Sequence, residues 1–260
     1  MPVTARSRHP DDYPRVALIT GAAVRVGRAL ALDLAAEGWA VAVHHNSSGE
    51  AAAQLVAEIT AQGGKAAALA ADFAKEAESA GLVARAASAL GPPGLLINNA
   101  STFEQDLVEN VTRESWDRHM EPNLRAPFLL CQSFAAGLPA AAGGMIVNIL
   151  DERVLNLRGD YISYSLSKAG LWALTQSLAV ALAPRIRVNA IGPGYTLPER
   201  GSTPEAFDAA TARLPLGRGT TPAEICRTVR FLLACKSITG QMIILDGGHH
   251  LAGRRRIEGS

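Results

Sequence analysis

The amino-acid sequence predicts an α/β protein built on one domain: a doubly wound parallel sheet of about seven strands with helices on both faces. Three observations carry that expectation. Short apolar runs recur from end to end, helical segments alternate with them, and no Pro/Gly/Ser-rich linker or fixed-period repeat divides the 260 residues. The runs are RVALIT (15–20), AVAVH (40–44), AAALAAD (66–72), GLLINN (94–99), MIVNIL (145–150), IRVNAIG (186–192) and QMIILDG (241–247). They are continuously apolar rather than alternating, the pattern of parallel strands covered on both faces. Helices are expected near 26–37, 49–62, 76–90, 113–119, 122–141, 161–183 and 222–235, with Gly38, Gly63, Gly64 and Gly91 at helix ends. The domain spans 14–250, between polar tails at 1–13 and 251–260.

Composition excludes several classes of function. Twenty-five basic residues balance 24 acidic ones, for a net charge of +1. No global field therefore draws nucleic acid or an anionic membrane. The one basic cluster, Arg254 to Arg256, sits in the C-terminal tail and reads as a solvated segment. Cys131, Cys226 and Cys235 are odd in number and widely spaced, which suits reduced thiols in a cytoplasm rather than a disulfide framework or a metal site. No 18-residue apolar run and no leader-like N-terminal stretch occur. A soluble, cytoplasmic protein is expected.

In such sheets ligands bind beyond the carboxyl ends of the strands. The first strand runs into TGAAVRVGRAL, 20–30. Gly21 permits a tight turn and Gly27 a close helix–sheet approach, and the helix that follows offers backbone N–H groups to a pyrophosphate. This is the nucleotide-binding turn of Rossmann-type folds, although two glycines alone also fit an ordinary strand–helix turn. Arg25 stands where a third glycine is expected, with Val26 beside it. Its guanidinium would contact a cofactor phosphate, a substrate, or merely solvent. The second strand ends in His44, His45, Asn46, Ser47 and Ser48 without the acid that meets an unphosphorylated ribose. These donors favour NADP(H), unless the histidines are only surface residues. Asp72 closes the third strand, where it can accept from an adenine amino group. Asn98, Asn99 and Ala100 close the fourth, leaving room for a cofactor to pass.

After the fifth strand comes ILDERVLNLRGDYISYSLSK, 149–168. Tyr164 and Lys168, four apart, share one helix face. An ammonium beside a phenol favours the phenolate and makes a usable general acid or base. Chance alone gives a Tyr-x-x-x-Lys in this composition about 0.06 times. Asp151 stands thirteen residues before Tyr164; a carboxylate brought close to the phenol would oppose phenolate formation and keep it protonated, which suits proton delivery in a reductase. Asp151 could also be a helix cap or the partner of Arg153 or Arg158. The segment 195–216, rich in Pro, Thr and Gly, has the composition of a lid.

Together, the glycine turn, Asn98-Asn99-Ala100, Asn123 within EPNLRAPF, Tyr-x-x-x-Lys, and Pro193-Gly194 after the sixth strand resemble the short-chain dehydrogenase/reductase family over about residues 14–250. The resemblance implies Tyr164 as proton donor and Lys168 as the residue that lowers its pKa and holds the nicotinamide ribose. It implies that Asn123 fixes a relay water, and that the molecule is a homotetramer. That family commonly has serine where this chain has Asp151. Aspartate there, together with Arg25, Ser101 and Phe103, is similar to the pteridine reductases and the related dihydromonapterin and dihydrofolate reducers. In that branch Ser101 contacts substrate and cofactor, Phe103 sandwiches a flat pterin against the nicotinamide, and Asp151 is the catalytic acid. The branch often has an arginine at the position of Ser47. The expected activity is NADPH-dependent reduction of a pterin-like C=N bond. Its rivals are a ketone reductase of the same family acting on 3-oxoacyl thioesters, and a non-catalytic NADP(H)-binding protein. Phe103 as a simple loop anchor is the bland alternative for that residue. No metal site is expected.

Overall fold

The computed structural model of the chain describes residues 13–198 and 201–252. Most of both expected tails, Arg254 to Arg256 included, and Glu199 and Arg200 of the expected lid lie outside the described residues. Seven strands, β1 (Val16–Ile19), β2 (Ala40–His45), β3 (Ala66–Ala70), β4 (Leu95–Asn98), β5 (Gly144–Ile149), β6 (Ile186–Pro193) and β7 (Met242–Leu245), form one sheet in the order β3-β2-β1-β4-β5-β6-β7. Every ladder is parallel. The order reverses between β1 and β4, so the carboxyl ends of those two strands flank the crevice where this architecture binds ligands.

Strand period sorts the core into two layers. Ala17, Ile19, Val41, Val43, Leu95, Ile97 and Val147 face one side. There they pack against Leu30 and Leu34 of α1 (Arg25–Ala36), Leu55 and Ile59 of α2 (Gly49–Ala61), and Ile225, Val229 and Leu232 of α8 (Pro222–Ala234). Leu18, Ala42, Leu96, Ile146 and Val188 face the other. Their partners are Leu82 and Ala86 of α3 (Glu76–Leu90), Leu130 and Phe134 of α5 (Ala126–Gly137), and Ala179 of α6 (Ile162–Ala181). Two covered faces explain why the strands read as unbroken apolar runs.

The remaining helices are α4 (Arg113–Met120), α7 (Pro204–Thr211) and the short α9 (His249–Ala252). α4 and α5 are not separate, as the sequence suggested. A π-helical turn, Glu121–Arg125, joins them and carries Asn123 inward. α5 stops at Gly137 rather than near 141 because Leu138 precedes Pro139 and adopts the extended backbone that proline imposes on its neighbour. α7, α9 and a 3-10 turn at Glu152–Val154 were not expected from periodicity. α7 had a signal nonetheless: Thr203 caps it by accepting from Ala206 N, with Pro204 at the first helical position. No helix among the described residues is long and apolar enough to cross a membrane.

Candidate active site

The turn after β1 is held by side chains from three strand ends. Gly21 adopts φ +61°, and a Cβ on Gly27 would sit 2.2 Å from Gly21 O. Both positions require glycine. Thr20 Oγ1 accepts from Asn99 N and Ala100 N, each at 2.9 Å, while Asn99 Nδ2 donates to Thr20 O at 2.8 Å and Gly21 O at 3.2 Å. Asn98, beside them, donates to Asn148 Oδ1 at 2.8 Å. α1 begins with Val24 as its cap, with no side-chain cap bond and no acid in its first turn. Its leading N–H groups are thus left to an incoming anion.

His44 is not the ligand donor the sequence suggested. Its Nδ1 accepts from Gly21 N at 3.0 Å, so the ring hydrogen sits on Nε2 and donates to Ala71 O at 3.1 Å. Stacking on Phe73, with centroids 4.3 Å apart, completes its burial, and burial pushes its pKa down to about 4. Both nitrogens are committed to shaping the turn.

Around the turn opens a cleft of about 1280 Å³. Gly21, Arg25, Val26, Gly27 and His44 line it, with Asn46, Ser47 and Ser48 from the end of β2, Asp72 beyond β3, and Asn99, Ala100 and Ser101 beyond β4. Asp72 Oδ1 accepts from Ala74 N at 3.0 Å, and Ser101 Oγ donates to Thr102 O at 3.3 Å. A second cleft of about 410 Å³ adjoins it and shares Arg25, Val26 and Phe103. Its wall includes Asp151, Tyr164, Gly194, and Thr196, Leu197 and Phe207 of the segment expected to be a lid. Pro193 pairs with Leu245 in the sheet and lines neither cleft.

Arg25 sits between the clefts with φ +54°, one of two non-glycine residues at positive φ among those described. This left-handed backbone costs an L-residue about 1–2 kcal/mol and explains why glycine is expected there. The guanidinium reaches across to the segment expected to be a lid, donating to Pro198 O at 3.0 Å and Leu197 O at 3.4 Å. A phosphate contact of the kind expected would require it to leave those carbonyls.

In the second cleft Tyr164 Oη donates to Asp151 Oδ2 at 2.7 Å. Asp151 Oδ1 accepts from Arg153 N at 2.8 Å, so this carboxylate is at once a cap of the 3-10 turn and the phenol's partner. Burial, then the charge of Asp151 and the bond to it, push the Tyr164 phenol well above its ordinary value. The expectation that Lys168 brings the phenol toward neutrality is therefore corrected. Lys168 Nζ donates to Ile149 O at 2.9 Å and stands 5.7 Å from the centre of the Tyr164 ring. Burial lowers its own pKa to about 8. It lines neither cleft.

Asn123 is fully buried, and both of its amide hydrogens are used, on Thr102 O at 2.9 Å and Ser167 Oγ at 3.1 Å. Its Oδ1 accepts from Thr102 N at 2.8 Å. The side chain positions the loop after β4 rather than offering a donor to a relay water. That loop carries Phe103, which is 38% exposed and so no core anchor. Phe103 stacks on Tyr161 at 4.4 Å and meets Tyr164 edge-on at 4.6 Å.

Several residues of this region escaped sequence reasoning. His119 Nε2 accepts from Glu104 N at 3.1 Å, and Ser163 Oγ donates to Asp106, so two buried polar groups hold the Phe103 loop against α4 and α6. Glu152 and His249 line the second cleft beside Arg158, which pairs with Glu152. Their separation in the chain gave no signal. No group of His, Cys, Asp or Glu among the described residues is arranged to hold a metal ion.

The chain is similar to known proteins along nearly its whole length. A family model described as enoyl-(acyl carrier protein) reductase matches residues 21–250. The chain is similar to FolM alternative dihydrofolate reductase 1 from Brucella canis, crystallised with NADP, at 42% identity and a TM-score of 0.89, covering 97% of this chain and 100% of that one. For the Brucella suis protein of the same name, also in complex with NADP, the values are 44% and 0.88, covering 93% and 96%. A 3-oxoacyl-[acyl-carrier-protein] reductase FabG from Staphylococcus epidermidis is 32% identical over 90% of this chain and 98% of its own. From glycine turn to final helix, the chain belongs to the short-chain dehydrogenase/reductase family, with FolM proteins of the pteridine-reductase-like branch as its structural neighbours.

Proposed function

We propose that this chain is an NADPH-dependent reductase that reduces a C=N bond of a pterin or dihydropterin. The observation that carries the proposal is the Tyr164–Asp151 hydrogen bond at 2.7 Å in a cleft that Phe103 shares with the nucleotide-sized one. A ketone reductase of this family needs a neutral donor, commonly serine, to polarise the carbonyl. A carboxylate in that place suits a ring that presents N–H donors or a basic nitrogen.

The larger cleft fits the cofactor by its chemistry. The close approach enforced at Gly21 and Gly27 and the uncapped start of α1 suit a pyrophosphate. Asn46, Ser47 and Ser48 supply donors without an opposing acid for a ribose 2′-phosphate, and Asp72 suits the adenine amino group. Asn99 and Ala100 would border the nicotinamide end, and Lys168 would hold its ribose only by turning from Ile149 O toward the cleft. When bound, NADPH supplies the hydride.

The protein supplies position and a proton. Phe103 and Arg25 bracket the junction of the clefts and hold a flat ring there. Asp151, the more accessible member of the pair, takes up a proton from solvent and passes it to the ring nitrogen. Tyr164, kept protonated by burial, donates its hydrogen bond to the carboxylate left behind and stabilises it. Asp151 is then reloaded from solvent. Buried Asn123 and the Asp106–Ser163–His119 network keep the Phe103 loop in register.

The test is the initial rate of NADPH oxidation with dihydrobiopterin, dihydromonapterin, dihydrofolate and folate, beside acetoacetyl thioester and simple diketones. Turnover of the pterins alone is expected. Turnover of ketones alone would overturn the substrate assignment and favour the FabG-like reading.

A further inference from the structure

The helix that carries Tyr164 takes its cap from elsewhere in the chain. α4, α7 and α8 each begin on a threonine that accepts from a backbone N–H of the first turn, and each has an acid in that turn. α6 begins on Tyr161, whose hydroxyl stands too far from its own backbone for that role, and its first turn holds no acid. Tyr161 also has left-handed backbone, at φ 54°, so the turn starts under strain.

Asp106, in the loop after β4, meets this need. Its backbone carbonyl accepts from Ile162 N at 3.4 Å, its Oδ1 from Ser163 N at 3.2 Å, and its Oδ2 from Ser163 Oγ. Asp106 is 3% exposed, His119 Nδ1 stands 3.9 Å from its Oδ2, and no lysine or arginine among the described residues pairs with it. A buried carboxylate without a cation is costly. The leading N–H groups and positive dipole end of α6 take the cation's place. The same loop is fastened twice more without this carboxylate, at Thr102 by Asn123 and at Glu104 N by His119 Nε2. Phe103 lies between those two points, so its register survives the loss of the Asp106 charge.

Tyr164 is the third residue of α6, inside the turn that frays when its leading N–H groups are unmet. Its Oη has to meet Asp151, which stands just beyond β5 on a separate element. We propose that Asp106 is a positioning residue for the proton step: by capping α6 from the loop after β4, it holds Tyr164 against Asp151. This rests on the role given to Tyr164 above and adds the group that aims it.

The experiment is a double-mutant cycle of Asp106→Asn with Tyr164→Phe, read with whichever of a dihydropterin and acetoacetyl thioester the wild type reduces. Asp106→Asn is expected to lower kcat about tenfold or more, while KM and the Kd for NADPH stay within about threefold. In the Tyr164→Phe background it should change kcat by less than about twofold, since no phenol remains to aim. Hydrogen exchange of the amides at 162–164 should rise about tenfold or more in Asp106→Asn, a readout that needs no turnover. A higher KM at unchanged kcat would make Asp106 a fastener of the Phe103 loop and overturn the inference. Equal losses of kcat in both backgrounds, or unchanged exchange in the folded variant, would overturn it as well. Melting temperature reports folding. Should Asp106→Asn not fold, Ser163→Ala removes the bond to Oδ2, keeps the one from Ser163 N, and is expected to give the same pattern with a smaller loss of kcat. Dihydropterins left unreduced while the thioester is turned over would sink the pterin reading alone, and the cycle would then be read on the thioester.

Discussion

The two clefts are built on opposite terms. In the larger one, the polar groups around the glycine turn are nearly all committed within the protein. Thr20 holds two backbone amides, Asn99 ties two carbonyls, and His44 spends both nitrogens. What remains free is the start of α1. In the smaller cleft Glu152 has an orphaned oxygen and the Tyr164 phenol is held protonated by burial and a carboxylate, and Arg25, at its junction with the larger one, has a strained backbone. One side is a finished mould for a ligand common to a whole family. The other stores unsatisfied polarity for a ligand of its own.

The comparison can be broken at several points. The largest expected effect is that of Tyr164→Phe, which removes the hydrogen bond that stabilises Asp151 after proton transfer. Stopped-flow oxidation of NADPH is expected to slow by about a hundredfold to a thousandfold, with NADPH affinity held within a few-fold. A comparable loss of NADPH affinity would mean that the two clefts are not separable.

Next comes the pH dependence of folding stability set by His44. Its folded pKa of about 4 lies below its ordinary value of 6.5, so the unfolded chain binds a proton that the native turn refuses. Stability from this group is intact above pH 6.5 and falls as pH drops toward 4, by about 3 kcal/mol in all. Urea unfolding of the wild type and His44→Asn across that window would show it as a steeper wild-type slope. Parallel slopes would contradict a neutral, fully bonded His44.

The smallest effect is expected for Arg25→Gly. Relief of the left-handed backbone is offset by glycine's greater freedom in the unfolded chain, so net stability should move by less than about 1 kcal/mol. The segment 195–216, once the bonds to Leu197 O and Pro198 O are lost, should be cleaved several-fold faster by trypsin. An unchanged rate would show that Arg25 does not fasten it.

The sheet was legible because its seven runs are long enough, and apolar enough on both faces, to leave little choice of partner. The glycine turn, the Asp151–Tyr164 pair and Phe103 were legible because each belongs to a short local motif. What stayed hidden arises from contacts distant in sequence. Nothing within the chain around His44 announces Gly21 N or Ala71 O, and the lowered pKa follows only from that burial. Lys168 four residues from Tyr164 predicts a shared face correctly, yet Ile149 O takes its proton bond. Glu152 and His249 are nearly a hundred residues apart and meet only because β5 and β7 end at the same edge of the sheet.

The central claim is that Asp151 makes this site one for a C=N ring and not for a ketone. Its most direct test is the ratio of kcat/KM for dihydropterin to that for acetoacetyl thioester in the wild type and in Asp151→Ser. The account predicts a large ratio that collapses in the variant by about a hundredfold or more, through loss of the pterin rate. A ratio indifferent to residue 151 would contradict it.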